Sequence, residues 1–366
     1  MIENITAAIH ADLPLFVWGG PGIGKSAIVR QAAELKGWTE ASRQFIDVRL
    51  SQMEPVDLRG LPVPDMKIGT TTWLPPTWLP FEGSSWPDEG VLFLDEASSA
   101  SPSVQAAAYQ LVLDRQLGEA RLKKGWRLIL AGNRVTDGGV AFRLAMPLAN
   151  RMLHVQAEAD HDKWIDWGLT ENKETGKPNI QEDVIKFLLF RPALLTNFEL
   201  ALKSKDMAFA TPRSWEMVSI ILTTQADAKP DVITTLIAAA VGPGPAAEFA
   251  AYRKLHKSLP DIDAVLQGRG AAVKCADKAD VRHVATLALA FRVFETGETD
   301  ITQAQEWSQR CVSWLDDLDV KWAALFINVV LRKKRRNGQL ANIYLIGEKL
   351  QAWMEKHTDL ITFRES

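Results

Sequence analysis

The chain has 366 residues, 47% hydrophobic and 24% charged, with a formal net charge of −3. That length suits two or three domains rather than one small core, and the near-neutral balance gives no global attraction to nucleic acid or to a membrane surface. No run of 18 uninterrupted apolar residues occurs, Met1–Asp12 lacks a basic stretch leading into a long apolar one, and Cys275 and Cys311 are the two cysteines; a spanning helix, a signal peptide and a disulfide framework are therefore not expected, and a reducing cytoplasm is.

Leu13 to Trp18 is apolar and reads as a buried strand, and Lys25–Lys36 has helical spacing. Between them stands Gly19-Gly20-Pro21-Gly22-Ile23-Gly24-Lys25-Ser26, a full match to G-x-x-x-x-G-K-[ST]. Strand, glycine loop and helix are the context in which that pattern binds phosphate. The loop N–H groups and the positive end of the helix would surround a triphosphate. Lys25 would reach its β- and γ-phosphates, and the Ser26 hydroxyl would take one position on Mg²⁺.

A second strand is expected at Phe45–Arg49, followed by a long proline-rich insertion, Ser51 to Glu89. Within it Leu61–Pro64 and Thr70–Leu74 flank Met66-Lys67-Ile68-Gly69, the pattern of a hairpin. Trp73, Trp78, Phe81 and Trp86 lie in the same segment. They read first as packing the insertion on the core, and second as a surface that grips a partner.

Val91–Leu94 is a third strand, and it ends in Asp95-Glu96. A buried strand that delivers two carboxylates to its C-terminal end places them where ligands bind in open α/β sheets. Asp95 suits the Mg²⁺ shell through water, and Glu96 suits polarisation of a water attacking the γ-phosphate. Both acids together point to ATP hydrolysis rather than to binding alone.

A helix over Ser101–Leu113 opens with Ser101 as cap and Pro102 in the first turn. Arg115–Arg121 has the look of a hairpin turn, and Arg127–Ala131, Phe142–Ala149 and Met152–Val155 read as strand, helix and strand. The first 157 residues thus alternate strand and helix, which implies a parallel sheet covered on both faces. From 158 to 366 helical periodicity takes over, as a helical lid followed by a C-terminal helical region. Helices are expected at Val184–Phe190, Ser214–Leu222, Asp231–Ala240, Ala246–Leu255, Val281–Phe294, Ala304–Leu315, Trp322–Leu331 and Leu340–Trp353, with a break at Val241-Gly242-Pro243-Gly244-Pro245. The basic run Arg332-Lys333-Lys334-Arg335-Arg336 is read as a solvated helix cap. His154 and His161, with no third ligand beside them, are read as structural.

Gly19–Ser26, Asp95-Glu96, Ala131-Gly132-Asn133, Asn150-Arg151 and Thr211-Pro212-Arg213 together resemble an AAA+ ATPase, and within that family the MoxR branch. The resemblance spans roughly residues 10–225. Pro55-Val56-Asp57-Leu58-Arg59-Gly60 is similar to the MoxR segment that precedes an inserted hairpin. By that resemblance Asn133 would be sensor 1, touching the γ-phosphate or the lytic water. Arg151 would be the arginine finger that reaches a neighbour's nucleotide, with Arg134 and Arg143 as rivals, and Arg213 would be sensor 2. The resemblance also implies a homo-oligomeric ring, usually a hexamer, and a remodelled or activated protein partner, in many members one with a von Willebrand factor A domain. Ser51–Pro55 lacks the aromatic–apolar–Gly loop of threading unfoldases. A motor on nucleic acid and a non-hydrolysing scaffold are the alternative readings. The acidic balance weighs against the first, and Glu96 with Arg151 against the second.

Overall fold

The computed structural model describes residues 1–362 apart from 68, 139–141, 143, 145, 173–174, 226, 256–257 and 334–338. The chain divides into two compact units, Met1–Ala159 and Asp160–Ser366.

In the first unit α1 (Ile2–Ala11) precedes β1 (Leu15–Trp18), α2 (Lys25–Glu34) and β2 (Phe45–Arg49). A short α3 (Pro55–Arg59) leads into the antiparallel hairpin β3 (Leu61–Asp65) and β4 (Thr70–Leu74). Then come β5 (Glu89–Asp95), α4 (Pro102–Asp114), a small hairpin of β6 (Gln116–Leu117) and β7 (Ala120–Arg121), β8 (Gly125–Gly132), α5 (Met146–Ala149) and β9 (Leu153–Gln156). The main sheet runs in the order β2-β5-β8-β1-β9, and every pair is parallel.

Because strand side chains alternate between faces, the sheet builds two cores. Leu15, Val17, Phe45, Val91, Phe93 and Ile129 pack under Ile5 and Ile9 of α1 and Val29, Ala32 and Ala33 of α2. Phe16, Ile46, Val48, Leu92, Leu94 and Leu128 pack under Val104, Ala108 and Leu111 of α4. Val91, Leu92, Phe93 and Leu94 are fully buried. Each such side chain contributes about 1.5–3 kcal/mol, so β5 is firmly anchored just before its two acids. The insertion's aromatics are split: Trp78, Phe81 and Trp86 pack against the second core around buried Leu79, while Trp73 stays on the hairpin, half-buried. Trp86 meets Trp126 edge-on at 6.1 Å.

In the second unit α6 (His161–Leu169), α7 (Glu182–Phe190), α8 (Phe198–Ser204), α9 (Pro212–Thr224), α10 (Pro230–Val241) and α11 (Pro243–Leu255) are followed by short α12 (Ile262–Ala264) and by α13 (Ala279–Gly297), α14 (Ile301–Leu318), α15 (Val320–Arg332) and α16 (Glu348–Lys356).

Three expectations need correction. The helix expected over Phe142–Ala149 is, among the described residues, only the single turn Met146–Ala149. The helix expected over Leu340–Trp353 is broken into a 3₁₀ turn, Ala341–Tyr344, and α16. Gly347 sits at φ 145°, and a Cβ there would lie 2.4 Å from the Gln309 amide, so the chain turns where an even helical pattern was read. The basic run does not begin as a solvated cap. Arg332 donates to Asp162 at 2.9 Å, and Lys333 is buried with its ammonium 3.7 Å from the centre of the Phe291 ring and 4.1 Å from that of Phe294. Residues 334–336 lie outside the described residues. The sequence pattern also passed over α1, α6 and α8.

Candidate nucleotide-binding site

The glycine loop leaves the C-terminal end of β1, in the interior of the sheet, and turns directly into α2. Two glycines explain why it can. A Cβ on Gly19 would stand 2.7 Å from the Ala157 carbonyl and 2.5 Å from Ile23 Cδ1, so only glycine lets the chain pass. Gly24, the N-cap of α2, sits at φ 93°, in the left-handed region that glycine adopts without cost. It offers no side-chain cap, so the N–H groups of the first turn point outward at the positive end of the helix dipole, where anions bind.

Lys25 Nζ donates to the carbonyls of Gly19 (2.8 Å) and Gly20 (2.9 Å) and to Asn133 Oδ1 (2.8 Å). Asn133 follows β8, whose last residue, Gly132, accepts a backbone bond from Gly19 at 3.2 Å. On the other side Ser26 Oγ donates to Asp95 Oδ2 at 2.6 Å, and the Glu96 N–H donates to Asp95 Oδ1 at 2.8 Å. Both oxygens of the buried Asp95 are thereby fixed. The structure thus brings Lys25, Ser26, Asp95, Glu96 and Asn133 together from three adjacent parts of the sheet. A serine hydroxyl beside an aspartate is the hard-oxygen donor set that Mg²⁺ accepts, with its remaining positions left to water and phosphate. Among the described residues no cluster of three or more His, Cys, Asp or Glu that could hold a metal ion occurs.

Glu96 adopts φ 55°, a left-handed backbone that costs a non-glycine residue about 1–3 kcal/mol and is concentrated at functional sites. Its carboxylate accepts from Ser51 Oγ. Ser51 lies in the 3₁₀ turn Leu50–Gln52 immediately after β2, and the pairing of Arg49 with Asp95 brings that turn alongside the acids. Sequence reasoning missed Ser51, since nothing marks a serine whose partner is 45 residues away; only the strand order makes them neighbours. One step deeper, Asp47 has its pKa raised, first by burial and then by the nearby Asp95 charge, with Arg30 opposing. Arg30 Nη2 stands 3.7 Å from Asp47 Oδ2 and 2.8 Å from Glu40 Oε1.

The candidate arginines that the structure describes are placed differently. Arg151 is exposed at the turn between α5 and β9, and its N–H donates to Leu148 O at 2.9 Å. Arg134 is turned onto Asp137, with Nε 3.5 Å from Oδ1, and Arg143 lies outside the described residues. Arg213 belongs to the second unit, exposed in the first turn of α9, where Thr211 caps the helix through the Ser214 N–H at 3.1 Å. On the edge strand β9 the exposed His154 accepts at Nδ1 from Trp18 Nε1–H at 2.9 Å, and its Nε2 lies 2.8 Å from Ala149 O. His161 likewise bonds Leu188 O at 3.0 Å.

The sequence matches no protein-family model and no curated protein. Solved structures similar to the chain include a protein from Cytophaga hutchinsonii assigned as an ATPase, at 14% identity, covering 66% of this chain and 80% of that one with a TM-score of 0.31. NtrX from Brucella abortus in complex with ADP is 15% identical over 98% of this chain and 67% of its own, with a TM-score of 0.39. Its complex with ATP is 14% identical over 87% and 66%, with a TM-score of 0.40.

Proposed function

We propose that this chain is a MoxR-like AAA+ ATPase that binds ATP with Mg²⁺ on the Gly19–Ser26 loop, hydrolyses it, and works as an oligomeric ring that remodels or activates a protein partner. The observation that carries the proposal is the meeting of two distant motifs: Ser26 bonds Asp95 at 2.6 Å while Lys25 bonds Asn133 at 2.8 Å. The loop and the two acids therefore form one site.

In this reading the α2 N-terminus and the loop N–H groups hold the phosphates. Lys25 exchanges its bonds to the Gly19 and Gly20 carbonyls for β- and γ-phosphate oxygens. Ser26, and Asp95 through water, would hold Mg²⁺, which would supply positive charge to offset that of the phosphates. Glu96 takes a proton from the attacking water, for which it must turn from Ser51 toward the γ-phosphate. Asn133 orients that water or the γ-phosphate. Arg151 completes a neighbour's site and Arg213 closes the helical lid on the phosphates. A trans arginine is worth about 10³–10⁵ in rate, so an isolated subunit would turn over very slowly. A von Willebrand factor A protein is the partner class that the resemblance favours.

The test is nucleotide binding. Titration of a fluorescent ATP analogue with Mg²⁺ into the full-length protein is expected to saturate, and Lys25→Ala is expected to weaken it by about 10²-fold, the scale of lost charge-assisted bonds. Equal affinity in Lys25→Ala would mean that the loop is not the phosphate site.

A further inference from the structure

The turn that carries Arg151 is tied to the strand that carries the glycine loop by an imidazole, just ahead of the Leu153 N–H that donates to Pro14 O at 2.8 Å. Phe16 and His154 are register partners across β1 and β9, so Phe16, Trp18 and His154 project from the same sheet face. The Phe16 and Trp18 rings stack at 4.0 Å, and His154 lies 6.1 Å from each. The indole N–H can only donate, and a backbone carbonyl can only accept. The two bonds of His154 therefore fix it as the neutral ring with its proton on Nε2: it accepts from Trp18 at 2.9 Å and donates to Ala149 O at 2.8 Å.

Both ends of this bridge are strategic. Trp18 is the residue immediately before Gly19, and its carbonyl accepts the Ala157 N–H at 2.7 Å. Ala149 is the last residue of α5, two before Arg151, and its carbonyl is one of those that a helix end leaves without an intrahelical partner. The backbone alternative for that carbonyl, the Met152 N–H, is 3.5 Å away. The imidazole is thus the closer of these two donors.

We propose that His154 is a positioning residue for Arg151: it clasps the α5–β9 turn to the end of β1, so that the loop holding one subunit's nucleotide and the arginine offered to the next subunit are set by one hydrogen-bonded chain. This rests on the finger reading of Arg151 given above. His154 touches neither phosphate nor water in this scheme. It acts through the turn.

The experiment compares variants of the full-length protein in verified oligomers. His154→Ala is expected to bind ATP as the wild type does while kcat falls by about 10²-fold, the cost of displacing a reacting group by about an ångström. His154→Gln, with a carbonyl for the Trp18 N–H and an amide N–H for Ala149, is expected to recover most of the turnover. Trp18→Phe keeps the ring and loses the donor, and is expected to be slowed. The decisive arm mixes His154→Ala with Lys25→Ala subunits. A His154→Ala nucleotide site that adjoins a Lys25→Ala subunit would then face a correctly held Arg151, and turnover should exceed the sum of the parents. No gain in the mixture, wild-type turnover in His154→Ala, or a His154→Gln as slow as His154→Ala would overturn the proposal. Arg151→Ala run alongside separates the two ideas. Wild-type turnover there removes the finger reading and the clasp with it, whereas loss there without rescue of His154→Ala removes the clasp alone.

Discussion

At the scale of single residues, the site depends on backbone conformations as much as on side chains. Gly24 at φ 93° has nothing within 4 Å of where a Cβ would stand, so Gly24→Ala tests the conformation without a clash. It is expected to cost about 1–2 kcal/mol, read as a lower denaturation midpoint of the first unit, together with weaker ATP binding; unchanged stability and binding would mean that the left-handed turn is dispensable. Glu96 carries a similar strain at φ 55°, but there a glycine would remove the carboxylate that is bonded to Ser51 and that the proposed reaction uses. These residues differ in how visible they are in the sequence. The loop, Asp95 and Glu96 are legible because local spacing fixes their chemistry: a strand end, a tight turn, a helix start. Ser51, Trp18 and His154 are not, because their roles arise from which strands lie side by side, and a sequence does not print strand order.

At the scale of elements, the five main strands were legible to within about two residues, since buried parallel strands read as continuous apolar runs. The α9 start was legible from Thr211 and Pro212, and the α10–α11 break from Gly242 and Pro243. What escaped were the short helices α1, α6 and α8, each of ten residues or fewer, and the end of α15, where charge suggested solvent and packing decided otherwise. Burial pulls the Lys333 pKa down to about 7 from an ordinary 10.5, with Lys186 adding to the effect and Glu182, Glu295 and Glu298 opposing it. The sign follows from proton counting. Between about pH 7 and 10.5 the unfolded chain holds a proton that the folded one has released, so stability of the second unit should rise with pH across that window, by up to about 1.4 kcal/mol per unit, with the cost fully present below it. Denaturation midpoints measured at pH 7 and pH 9 should therefore differ less in Lys333→Met than in the wild type. An identical pH dependence in both would mean that Lys333 is not the group responsible.

At the scale of the whole molecule, the reading makes assembly part of the active site. Arg151 is exposed on the first unit and Arg213 on the second. Arg151→Ala is accordingly expected to leave ATP binding intact and lower turnover by about 10³-fold or more. Mixing it with Lys25→Ala subunits should restore part of the activity, because each variant supplies the half-site that the other lacks. No restoration in verified mixed oligomers would place the arginine's role within its own subunit or elsewhere. The reading also makes turnover depend on protein concentration through assembly, which dilution would reveal. Beneath all of this stands one claim, that the site formed by the Gly19–Ser26 loop with Asp95 and Glu96 hydrolyses ATP. Steady-state phosphate release from Mg²⁺–ATP, wild type against Glu96→Gln at matched nucleotide occupancy, tests it most directly. The account predicts measurable release by the wild type and a loss of about 10²-fold or more in Glu96→Gln, the scale of a general base, with ATP still bound. Equal release by the two proteins, or none by an assembled wild type, would contradict it.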